Sequence, residues 1–117
     1  AAAQASLERL RLRFPDRVSW TLGNSSSTIP EFTRVHPDVE CDIIVVDGGH
    51  TEGEARMDLC NLRRMAAAAS VVIVDDARCS LCAPVTRAVA ALEQCGMLTT
   101  IFAWPSLDAK RGFIVAR

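Results

Sequence analysis

The sequence is short of the features that would place it in a class at once. No apolar stretch is long enough to span a bilayer, because the longest, residues 65–74, is interrupted by Ser70. Charge of one sign does not accumulate: the formal net charge is −1 and the basic residues are scattered. That excludes the basic footprint of a nucleic-acid binder. The opening AAAQASLERLRLRF has neither the apolar block nor the cleavage site of a secretory leader, and is expected to be a helix. There is no internal repeat, low-complexity tract or linker, so residues 1–117 are expected to form a single domain. The five cysteines are an odd number and mostly fall on apolar faces. They predict buried thiols in a reducing, intracellular and cytoplasmic setting, not a disulfide framework. Cys79 and Cys82 have CxxC spacing, but a lone pair is short of the four ligands zinc usually takes. The expectation for this segment is a loop over the site.

What remains is a globular composition, 50% apolar and 23% charged, in a chain of 117 residues that is long enough for a core. Ala5, Leu7, Leu10, Leu12 and Phe14 mark a helical face halted by Pro15. RVSWTL, residues 17–22, alternates apolar and polar and predicts a short strand, followed by a GNSSST loop and a turn of helix at 29–32. CDIIVV is the β-branched run of a strand buried on both faces of a parallel sheet. Thr51 and Glu54 fit a capping box. Behind them Ala55, Leu59, Leu62 and Ala66 predict a helix reaching to near Ala68. VVIV, 71–74, is a second buried strand. Pro84 suits a first helical turn, Val85, Ala88, Val89 and Leu92 an inner face, and Gly96 a stop. The end reads as two antiparallel strands joined by a polar loop. The predicted fold class is therefore α/β: a Rossmann-like, mostly parallel sheet flanked by helices, with an antiparallel C-terminal strand.

In open α/β sheets ligands gather beyond the carboxyl ends of the strands. Asp47 ends one apolar strand, and Asp75 with Asp76 end the next. If the strands are neighbours, about 4.8 Å apart, three carboxylates converge. Their mutual repulsion would favour a hard divalent cation such as Mg²⁺. His50, three residues beyond Asp47, is placed at the rim as a proton acceptor, imidazole being the side chain whose charge changes near physiological pH. Each acid has a plainer reading as a loop or helix cap. Gly48 and Gly49 serve the turn or clear space for a ligand. Glu52 and Glu54 suit the positive end of the helix dipole, and Arg87 a solvated helix face.

DIIVVDGGHTEGEARMDL, VVIVDDA, PVTRAVAAL and RGFIVAR together resemble the second half of class I S-adenosylmethionine-dependent methyltransferases. The resemblance is to the small-molecule variety with a DGxH turn after the fourth strand, and runs from about Arg17 to the end. It implies O-methylation of a small molecule with S-adenosylmethionine as cofactor. It also implies Asp47, Asp75 and Asp76 as metal ligands and His50 as general base. The cofactor contacts it implies are Gly23, Asn24 and Ser25, beside Asp47 and Gly48. The family's glycine-rich loop is absent, as is the acid that holds the ribose, and no GxGxG occurs. AAAAS stands where relatives have a Lys-Pro-Gly-Gly turn. The chain thus reads as a domain lacking the first two strands, inactive alone, leaving RVSWTL without its usual neighbours. Two alternatives stay open: a non-catalytic, degenerate fold serving as an interaction or structural module, and a metal-dependent hydrolase using the same acids. Partners are expected to be a small-molecule substrate, with no nucleic acid and no membrane; a homo-oligomer stays open.

Overall fold

The computed structural model describes residues 2–79, 81–104 and 112–117. The polar loop expected at 105–111 and Ser80 of the CxxC segment lie outside them. In chain order the elements are α1 (Ala2–Arg13), α2 (Ser25–Val35), β1 (Cys41–Val46), α3 (Glu52–Leu62), a 3₁₀ turn (Arg63–Met65), β2 (Ala66–Val74), α4 (Ala83–Gln94), β3 (Thr100–Trp104) and β4 (Phe113–Ala116).

The sheet order is β1-β2-β4-β3. β1 and β2 are parallel, with Ile44 opposite Val72 and Val46 opposite Val74. β4 inserts between β2 and β3 and runs antiparallel to both. Three strands therefore point one way and only the last is reversed, as the sequence predicted. Strand side chains alternate between faces. Ile44 and Val46 of β1, Val72 and Val74 of β2, and Ile114 and Ala116 of β4 share a buried face. Against it lie Ala55 and Leu59 of α3 and Val85, Ala88, Val89 and Leu92 of α4, one core cluster. Those four α4 residues are the inner face their spacing predicted.

Four local expectations give way. RVSWTL forms no strand: residues 18–22 are irregular, and the Arg11 guanidinium sits 5.6 Å from the Trp20 ring centroid. An alternating segment needs a sheet edge to pair with, and none of the four strands takes it. The supposed GNSSST loop instead begins a three-turn helix. Asn24 caps it, its Oδ1 accepting from Ser26 N–H at 2.9 Å and from Ser26 Oγ at 2.8 Å. α3 stops at Leu62 rather than near Ala68, because Ala66 already pairs with Cys41 in the sheet. Tertiary pairing there overrides alanine's helix preference. Finally, β1 is buried on one face only: Ile43 is 66% and Val45 59% exposed. The pairing register puts Ile43 and Val45 on the same face as Ile73, Val115, Phe102 and Trp104, and α3 and α4 cover the opposite one.

Candidate functional site

The parallel pairing of β1 with β2 sets Asp47 beside Asp75 at the carboxyl end of the sheet. The ladder continues one step past the strands, with Asp75 N–H donating to the Val46 carbonyl at 3.0 Å. From there the two chains turn differently. After β1 the turn Asp47-Gly48-Gly49-His50 leads into α3. After β2 the chain bends sharply, with Asp76 at φ 50° and Arg78 at φ 66°, both in the left-handed region. This bend sets the Asp76 carboxylate against His50: Nε2 of His50 lies 2.8 Å from Oδ2 of Asp76. The imidazole is otherwise open to solvent, its side chain 71% exposed.

The expected three-carboxylate metal centre is not assembled. Among the described residues no three His, Cys, Asp or Glu side chains come together so as to hold a metal ion. Adjacent strand ends bring backbones together, but side-chain direction follows the local φ. The left-handed turn at Asp76 gives its carboxylate to the histidine, while Asp47 and Asp75 are exposed. The donor set therefore does not fit a resident divalent ion, and the hydrolase alternative loses the centre it needed.

Both glycines of the turn have close neighbours. A Cβ on Gly48 would stand 2.9 Å from Oδ2 of Asp58, and one on Gly49 would stand 2.5 Å from Glu54 Oε2. The glycines thus let the turn lie directly on the start of α3. Asp58 itself is buried, a charged residue on the inner side of α3 that sequence spacing had not singled out. Its position three residues after Ala55 and four before Leu62 was the available signal.

The capping box forms as predicted. Glu54 N–H donates to Thr51 Oγ1 at 3.2 Å, and Glu54 Oε2 accepts from Thr51 N–H at 3.2 Å and Thr51 Oγ1–H at 2.7 Å. The Thr51 hydroxyl, then its backbone N–H, hold the Glu54 carboxyl below the usual carboxylate range. A carboxyl lowered in the folded state adds stability above its unfolded pKa, lost as pH falls through the folded one. Thr51→Ala is expected to cost about 1 kcal/mol at neutral pH. It should also flatten the acid side of the stability profile, measured by urea unfolding from pH 7 down to about pH 3.

The predicted cofactor residues separate into two groups. Asn24 and Ser25 line a pocket of about 460 Å³ with Ser26, Gly49, Glu54 and Asp58, where the starts of α2 and α3 meet. Asp47 and Gly48 stand on the adjoining turn. Gly23, at φ 144° with a Cβ position 2.7 Å from Thr28 Cγ2, shapes the entry to α2 rather than the pocket wall. On the far side of the site Glu52 and Arg87 pair at 2.7 Å, tying the first turn of α3 to α4. Neither was expected to have a partner across the fold. Cys79 and Cys82, expected as thiols, form a disulfide in the loop between Asp76 and α4, with Cα atoms 4.8 Å apart. The loop brings the two residues within bridging distance, which spacing alone did not establish. Cys41, Cys60 and Cys95 are free.

A comparison with curated proteins returns no match. Residues 1–77, which carry α1, α2, β1, α3, β2 and the acids at both strand ends, match the family described as a methyltransferase domain. With a paired histidine and aspartate beyond two parallel strands and a match over well more than half its length, the chain belongs to the methyltransferase-domain family.

Proposed function

We propose that the protein moves a methyl group from S-adenosylmethionine to a hydroxyl of a small molecule, with His50 as the proton acceptor. The supporting observation is the 2.8 Å contact between His50 Nε2 and Asp76 Oδ2 at the carboxyl end of the sheet. An aspartate on Nε2 keeps the proton on that nitrogen and leaves the Nδ1 lone pair free. Nδ1 then takes the acceptor hydroxyl's proton, and the Asp76 carboxylate stabilises the imidazolium that forms. When bound, S-adenosylmethionine supplies an electrophilic sulfonium methyl. Asn24 and Ser25, with the backbone of the Gly48–Gly49 turn, are the residues that would hold it. Their pocket is of a size found for small ligands. The proposed transfer uses no metal, because among the described residues Asp47, Asp75 and Asp76 do not form one donor set.

A second reading, a non-catalytic module of the same fold, has support from the exposed Ile43 and Val45 on β1. Titration with S-adenosylhomocysteine, followed by amide NMR, separates the two. The catalytic reading expects shifts at Asn24–Ser26 and Gly48–Glu54. Silence there would favour the module. Adding Mg²⁺ to the same sample tests the metal-assisted form, which requires Asp47, Asp75 and Asp76 to respond together.

A further inference from the structure

The opposite end of the sheet holds a second cavity. Relative to β1, β2 is irregular at its start: Cys41 pairs with Ala66 and Ile43 with Val71, so β2 takes five residue steps where β1 takes two. Residues 67–70 have no partner in β1, and a cavity of about 450 Å³ lies between them and the C-terminal ends of α3 and α4. Bulged strand segments of this kind recur beside binding sites. The β1 residue lining the cavity, Ile44, stands three residues before Asp47, about 10 Å along the strand at about 3.3 Å per residue.

Its chemistry is two-sided. Leu59, Leu92, Met97 and Leu98 give an apolar wall, while Arg63 and Arg117 stand at the lining with no ion-pair or hydrogen-bond partner for either guanidinium among the described residues. Ser70 also faces the cavity. It is 8% exposed, and its hydroxyl makes no hydrogen bond among the described residues. The hydroxyl is not sealed from solvent, so it is open to a partner entering the cavity. The helix ends nearby are negative, but each carries only about half a unit charge that fades within a turn. Among the lining side chains Arg63 and Arg117 alone carry a charge, so the donors the wall offers suit an anionic head group.

We infer that this cavity is a binding site for an amphipathic carboxylate, its chain against Leu59, Leu92 and Met97 and its head group between Arg63 and Arg117 with Ser70 within reach. The inference does not depend on the methyl-transfer reading, since it concerns the other end of the sheet and is read by binding alone.

The test uses the protein with sodium decanoate, decyltrimethylammonium and acetate as probes, followed by amide NMR and calorimetry. Decanoate is expected to shift Cys60, Ala67, Ser70 and Met97, with the other two probes at least tenfold weaker. Arg63→Gln, at an exposed position, should weaken decanoate several-fold, and Arg63→Gln with Arg117→Gln by tenfold or more. Ser70→Val should weaken it while preserving the fold, checked by the dispersion of the amide spectrum. Failure to bind decanoate would overturn the inference. So would equal binding of the cationic chain, or shifts confined to the exposed face of Ile43, Val45 and Phe102.

Discussion

His50→Ala is expected to lower methyl transfer by about 10² to 10⁴-fold, the range for removal of a positioned proton acceptor. The contact that makes this more than a generic expectation is the Asp76 carboxylate on Nε2. Asp76→Asn should come close to the same loss without removing the histidine. An amide donating to Nε2 would move the ring proton to Nδ1 and so block the acceptor position. The check is transfer of labelled methyl to a panel of hydroxyl compounds, beside circular dichroism to show that both variants fold. The imidazole is largely solvent-exposed, so neither change disturbs the core. If Asp76→Asn keeps full activity while His50→Ala has none, the histidine acts without the aspartate. If His50→Ala keeps activity, the proposed chemistry is wrong.

Leu92→Ala is expected to destabilise the fold by about 2–5 kcal/mol, the cost of truncating a buried leucine. That is a large share of a typical total of about 5–15 kcal/mol. Leu92 is the last of the four inward residues of α4 and also borders the Arg63–Arg117 cavity. Its loss therefore enlarges an existing void instead of letting the walls close. Urea unfolding should show a lower midpoint with an unchanged slope. Met57→Ala, on the exposed side of α3, is the control and should move the midpoint little. A shift below about 1 kcal/mol for Leu92→Ala would mean that α4 does not hold the sheet as its position implies.

Much of the site was legible before any fold was known. The strand CDIIVV ends where its apolar run ends, and the capping box begins α3 at Thr51. These two signals confine the DGGH turn to four residues between a strand and a helix. The second strand, with its acids, follows the same logic. What was misread had a different cause at each place. GNSSST reads as a loop by its turn-favouring composition, although an Asn before serines is a good helix cap, the role Asn24 fills. A helix reaching to near Ala68 follows from alanine's intrinsic preference, and only pairing with β1 draws Ala66 into the sheet.

By itself the sequence determined the local order of elements, the inner face of α4, the caps, and the placing of acids and His50 at strand ends. These depend on contacts between residues three or four apart and on alternation along a strand. Only the tertiary structure decided that Asp76 meets His50, that Cys79 bridges Cys82, and that residues 17–22 stay out of the sheet. It alone brought Arg63 and Arg117 to one cavity from elements far apart in the chain. Such outcomes depend on side-chain direction after a turn and on which partner lies across the sheet, and neither is set by near neighbours in the chain.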